Sequence, residues 1–223
     1  MGRARDISKV FSTGTALATD SEVSGSYLTQ TSASTTYQTK AAAGLTLLTP
    51  TSIANTGGTA SIGANGTVTF SGISTVSLNN VFSATYKNYY MALNIDSGTS
   101  NNNVLFRFRV AGSDNSSNVY RRAGTYAGLE SSTSGFDANI VTNYWYLGTF
   151  LNGAYPNTSN VEIMNPFETT RTYAWTRDIA NGGTYFTWNY GNVHTSETSF
   201  TGFTVYTDGG TVAGSISVYG YNK

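Results

Sequence analysis

The sequence predicts an all-β protein: an antiparallel, jelly-roll-like β-sandwich behind a short extended or partly helical N-terminal arm. Three observations carry that prediction. The first is composition. Among 223 residues there are 24 Gly, 16 Tyr and 11 Phe but only 3 Pro, with Ser, Thr and Asn throughout and the strong helix formers thin. Thr, Val, Tyr and Phe favour pleated, half-buried surfaces, and Gly and Asn favour turns. The second is a period of two in many short segments, the signature of strands buried on one face. The third is the run of turn-forming clusters between those segments, at the spacing of a sandwich.

The elements follow in chain order. Residues 1 to about 25 carry mixed charge at helical density: Arg3, Arg5, Asp6 and Lys9, then Asp20 and Glu22. Ile7, Val10 and Phe11 fall at i, i+3 and i+4, so a short helix would gather them into one stripe. The stretch "SYLTQTSASTTYQTK" from Ser26 to Lys40 places Tyr27 and Tyr37 in matching Tyr-x-Thr phrases, with Leu28 beside the first. Such a segment buries too little by itself to offset its ordering entropy. It reads as extended chain that other chains order. Residues 1–47 are therefore expected to form the arm and residues 48–223 the sandwich.

From Ala41 to Tyr86 no residue is charged. Low charge combined with Gly, Thr, Ser and Asn favours an ordered polar β region over disorder. "GTVTFSG" sets Val68 and Phe70 on one face. "NNVFSATYKNYYMALNI" reads as two strands around Tyr86–Asn88. In "NVLFRFRVAG", Val104, Phe106, Phe108 and Val110 face one way, and Leu105, Arg107 and Arg109 the other. "IVTNYWYLG", "NVEIMNP", "TYAWTRD", "TYFTWNYG" and "FTGFTVYT" continue the series. The last, "TVAGSISVYGY", puts Val212, Ile216 and Val218 on a shared face. Nine to eleven strands are expected.

Charge and motif content exclude several function classes. Twelve basic and twelve acidic residues cancel, which argues against a nucleic-acid partner, since that needs a clustered positive surface. No apolar run approaches the roughly 18 residues of a membrane span, so no membrane insertion is expected. The opening residues contain no apolar core of a secretory signal and no myristoylation motif. Without cysteine, disulfides and thiolate metal sites are ruled out. The lone histidine, His194, lies in "GNVHTSETS" and reads as a loop residue; no Gly-x-Ser-x-Gly elbow marks a nucleophile. Glycoside hydrolysis needs two carboxylates facing each other, and the acids are scattered. The loops around Asp114 and Asp137 fit Asx turns better than a calcium loop. No metal, no cofactor and no catalytic residue are assigned, and the chain reads as non-enzymatic.

The aromatic surplus is the positive binding signal. Tyr144, Trp145 and Tyr146 are consecutive, so alternation must turn some of them away from the face that holds Trp145. Trp175 lies between Arg171 and Arg177. Phe186, Trp188 and Tyr190 share a face. Aromatics on both faces of a strand serve subunit contacts or a ligand surface. Tyr144, Trp145, Tyr146, Trp175 and Trp188 are therefore the candidate ligand surface, with a stacked sugar ring as one possible ligand.

Four phrases carry a resemblance: "GRARDISKVF…ALATDSEV", "YLTQTSASTTYQTKA", "VFSATYKNYYMALNI" and the closing "GSISVYGYNK". In these the chain resembles the tail-fibre-like and head-appendage proteins of tailed bacteriophages. The resemblance implies a non-enzymatic virion structural protein, located in the virion and partnered by other phage virion proteins of the capsid or tail. Its N-terminal segment would attach to the particle through Arg3, Arg5, Ile7, Val10 and Phe11. Such appendages are typically homotrimers, in which Tyr27, Leu28 and Tyr37 would meet their copies around an axis. The sandwich would serve host-surface adhesion, with a host glycan as a possible partner, or capsid decoration. Having little more than one Tyr-x-Thr cycle, the chain departs from a long shaft. The alternative is a carbohydrate-binding or carbohydrate-active β-sandwich that uses its surface aromatics.

Overall fold

The structure is a computed structural model, and it describes residues 44–150, 152–153, 156–181 and 185–222. The arm residues Arg3, Arg5, Ile7, Val10, Phe11, Tyr27, Leu28 and Tyr37, and the helix expected near them, lie outside the described residues. Gly44–Lys223 forms one compact unit.

Fourteen strands are present among the described residues, and every pairing is antiparallel. They are β1 (Leu45–Leu48), β2 (Ser52–Ile62), β3 (Val68–Asn79), β4 (Asn88–Gly98), β5 (Asn102–Val110), β6 (Ser113–Asp114) and β7 (Tyr120–Gly128), then β8 (Ser134–Thr142), β9 (Trp145–Phe150), β10 (Asn157–Met164), β11 (Thr172–Asn181), β12 (Tyr185–His194), β13 (Gly202–Thr207) and β14 (Val212–Tyr221). The all-β sandwich expected from the sequence is the fold observed.

The count exceeds nine to eleven for local reasons. β2, with sequence "SIANTGGTASI", is mostly exposed and has too few apolar residues to show a period. β6 is two residues long. In the other direction, "NNVFSATYKNYYMALNI" yields one strand and not two. Residues 81–87 form a loop whose Val81 and Phe82 plug the core, because Tyr89 Oη accepts from Ser83 N and donates to Ser83 O, both at 2.8 Å, closing a turn there.

The sheet bends at β3. Its first half pairs with β14 through Val68–Ile73, and its second half pairs with β13 through Thr75–Leu78. One strand thus serves two layers, a corner of the kind that bulges make. The bulge sits at Thr56/Gly57 of the accompanying β2. Gly57 and Gly58 have φ of +75° and +28°, and a Cβ on Gly58 would strike the backbone of Ser71 and Gly72. Only glycine allows β2 and β3 to turn so tightly.

The larger layer runs β14-β4-β10-β11-β12-β7-β8, and the smaller one β13-β5-β9. Chain connections β4–β5, β9–β10 and β13–β14 hop between them, as in jelly rolls. The core fills the space between. Phe70, Met91, Leu93, Val161, Ile163 and Ile216 come from the larger layer or the corner, and Phe106, Phe108, Trp145, Leu147, Phe203 and Val205 from the smaller. Each such side chain contributes about 1.5–3 kcal/mol by leaving water. Val212, Ile216 and Val218 share the buried face of β14 as alternation requires. Val110, grouped by alternation with Phe108, is 39% exposed, because it ends β5 opposite the two-residue β6 and no second layer covers it.

Candidate functional site

The larger layer curls so far that its last strands overhang the outer side of the smaller layer. The triplet Tyr144-Trp145-Tyr146 records this. Trp145 points inward and is fully buried, stacked on Phe106 at 5.6 Å and edge-on to Phe108 at 4.8 Å. Trp145 was expected on the ligand surface; it is a core residue, because β9 pairs with β5 and carries it between the layers. Tyr144 and Tyr146 emerge on the opposite face. There Tyr146 packs with Leu105 of β5 and Tyr190 of β12 in a second, smaller apolar cluster, flanked by Tyr144, Trp188 and Tyr206.

Between β9 and the overhanging β12, β7 and β8 lies a cleft of about 460 Å³, within the size range of ligand pockets. Its wall is a connected set of rings. Trp188 lies 4.6 Å from Tyr126 at 33°, and 5.8 Å from Tyr190 in a stacked pair. Tyr146 meets Trp188 and Tyr190 edge-on at 5.9 and 5.8 Å. Strand register creates the wall: Trp188 pairs with Tyr126 across β12 and β7. Phe136 of β8, 68% exposed, adds an apolar rim.

The polar centre of the cleft is Arg122. Its Nε donates to Asp137 Oδ2 at 3.0 Å, and its guanidinium lies 5.0 Å over the Tyr146 ring and 5.4 Å from that of Tyr190. Cation–π contacts of this kind contribute about 0.5–2 kcal/mol each. Burial raises the phenol of Tyr146, with the Thr149 hydroxyl bond opposing it, and burial raises that of Tyr190, helped by the negative charge of Asp137. Both phenols stay neutral donors across the physiological range. The Asp137 carboxylate remains one-third exposed, so an acceptor faces the cleft. The surface thus combines the partly exposed rings of Tyr126, Tyr144 and Trp188 with the Asp137 acceptor, over a floor of buried Tyr146 and Tyr190.

Of the five aromatics expected at a ligand surface, Tyr144, Tyr146 and Trp188 come together here. Trp145 does not, and Trp175 stands on the other face of the sheet, 56% exposed. Tyr190 joins the three in the cleft, as the face it shares with Trp188 along the strand leads one to expect, whereas Tyr126, Arg122 and Asp137 carry no such mark in the sequence. Alternation in "YRRAGTYAG" and "SGFDAN" is hidden by Gly and Arg, so no sequence signal joined them to Trp188. Arg107 and Arg109, which share a face of β5, are both engaged within the chain. Arg107 lies 4.6 Å over Tyr206, and Arg109 Nη1 pairs with Asp114, which also accepts from Thr204 at 2.6 Å. Asp114 is thus held as a turn anchor.

His194 is the main departure. It was expected in a loop and instead ends β12, fully buried. Its ring meets Tyr120 edge-on at 4.5 Å and Phe200 at 4.8 Å, with Nδ1 3.2 Å from Ser196 Oγ. Burial lowers its pKa to about 4. No group of three or more His, Cys, Asp or Glu side chains suited to a metal occurs among the described residues.

No protein-family model and no curated protein matches the sequence. Among solved structures the chain is similar to the CBM2 module of the evolved Dit of Lactobacillus casei BL23 phage J-1. The identity is 13%, over 78% of this chain and 92% of that chain, with a TM-score of 0.27. That score is too low to define a shared topology.

Proposed function

We propose that this chain is a non-enzymatic virion appendage that adheres to a saccharide surface through the cleft between β9 and β12. The observation that carries the binding part is the continuous ring wall Tyr126–Trp188–Tyr190–Tyr146 around Arg122 and Asp137. Sugar rings present an apolar C–H face and a rim of hydroxyls, and the cleft offers counterparts to both. The virion part rests on the resemblance of the N-terminal and closing phrases to phage appendage proteins. A non-enzymatic role is supported by the acids: Asp137 is tied to Arg122, and Asp178 is buried, whereas glycoside hydrolysis needs two opposed working carboxylates. Attachment would use the N-terminal arm. Weak single-site binding would become firm adhesion through copy number, with a homotrimer as the unit.

The test is binding of the full chain to an array of bacterial surface polysaccharides, followed by titration of the best ligand against variants. Tyr144→Ala and Asp137→Asn should each weaken binding about tenfold, roughly 1.4 kcal/mol, and leave the thermal midpoint within a few degrees. Binding to no polysaccharide, or equal binding by both variants, overturns the cleft assignment. Release of reducing ends from the ligand would overturn the non-enzymatic reading.

A further inference from the structure

The outward face of β11 carries a second arrangement unconnected with the cleft. Along β11 the even positions are buried and the odd ones point out, so Tyr173, Trp175 and Ile179 are 45%, 56% and 47% exposed. Isolated exposed apolar residues need no explanation, but a Trp with this much free surface, set among polar groups, does.

Its neighbours are fixed by register. Trp175 stands opposite Glu162 of β10 on one side and Gly191 of β12 on the other. A Cβ on Gly191 would lie 3.4 Å from Trp175 Cζ3 and 3.6 Å from Cη2. The indole therefore leans over the bare glycine, away from β10, which opens a hollow above Glu162. Tyr90 of β4, paired with Glu162, bounds the far side. Its hydroxyl donates to Asn160 Oδ1 at 2.7 Å, fixing the amide and keeping Asn160 Nδ2 as a donor. Arg177 closes the hollow, which measures about 90 Å³. Among the described residues no ion pair joins Glu162 to Arg177, so each has hydrogen-bonding capacity for something else.

We infer that this hollow is a second saccharide site, taking one pyranose unit against Trp175 with its hydroxyls read by Glu162, Asn160 and Arg177. The chemistry favours a sugar over a protein partner. A single ring face is surrounded on three sides by an acceptor, a carboxamide and a guanidinium, whereas the buried core of a protein interface is depleted of charge. The site is separate from the cleft. On β12, Gly191 faces the Trp175 side, while the adjacent Tyr190 is buried on the cleft side. One chain therefore holds two saccharides on opposite faces of the same strands, and its avidity multiplies before any oligomer forms.

The three tryptophans allow a site-resolved test. The full chain, ¹⁵N-labelled at the indoles, is titrated with the methyl glycosides of glucose, galactose, mannose and N-acetylglucosamine. With at least one of these the Trp175 indole signal should move and saturate, at a midpoint different from that of Trp188, while buried Trp145 stays put. Trp175→Ala should leave the Trp188 titration within about twofold. Glu162→Gln, which keeps the ring, should weaken the Trp175 response about fivefold or more. Three results overturn the inference: a Trp175 signal unmoved by every glycoside; a Trp175 signal that moves on protein dilution and not with sugar, the mark of a subunit contact; or a Glu162→Gln response equal to that of the parent. Failure of the cleft reading shows separately, as a silent Trp188.

Discussion

Two buried ionisable residues set opposing pH responses. His194 is neutral in the folded chain, its pKa lowered to about 4 by burial from 6.5. Between those values the unfolded chain binds a proton that the native chain does not, so stability is full above pH 6.5 and is lost as pH falls toward 4. Asp178 on β11 acts in the reverse sense. It is 3% exposed, and burial alone raises its carboxyl well above 3.8. Its Oδ2 has no hydrogen-bond partner. It occupies the space a side chain at Gly148 would take, since a Cβ there would come within 2.5 Å of Oδ2. The native chain keeps this proton where the unfolded one releases it, so stability falls as pH rises from 3.8 toward the folded value. Urea unfolding at stepped pH checks both. His194→Gln should flatten the loss between pH 6.5 and 4. Asp178→Asn should match the parent near pH 3.8 and exceed it at pH 7. An unchanged profile in either variant would refute the linkage assigned to that residue.

At the scale of elements, the corner of β2 and β3 determines whether two layers form at all. If β3 ran straight, β13 and β14 would extend one flat sheet and the aromatic core would have no opposite wall. Gly58→Ala adds a Cβ against the Ser71 and Gly72 backbone at a left-handed φ. It should cost at least about 1–3 kcal/mol, read as a lower urea midpoint with an unchanged slope. The same substitution at Gly112, also at positive φ but with open space around its Cβ position, should cost less. Equal losses would mean that backbone strain, and not the close approach of two strands, dominates at the corner. The overhang of β12 and β7 is the other decisive element. It turns what would be the solvated back of β9 into a wall of the cleft.

For the whole molecule, the sandwich supplies two faces and the arm is the proposed means of display. Formal net charge is zero, so charge repulsion between copies is weak and close packing on a particle is tolerated. The trimeric reading predicts that the full chain sediments as three copies at micromolar concentration, and that removal of residues 1–25 leaves circular dichroism of the sandwich unchanged while occupancy on the particle falls. A monomer at all concentrations, or full occupancy without those residues, would remove the arm from assembly.

The sequence by itself determined the all-β class, the faces of β3 and β14, and the lack of thiols. Those properties are local: a period of two and the turn residues between strands are readable without knowing which strand pairs with which. The tertiary structure decided which aromatics are core, which line the cleft and which remain outside. Trp145, Trp175 and Trp188 look alike as residues in strand segments, yet one is sealed between layers, one leans over a glycine in solvent and one joins a ring wall. His194 and Asp178 are buried for the same reason. What covers a strand face is set by pairing between distant segments, such as β12 with β7, and by a bend at two glycines, and a strand's own pattern contains neither.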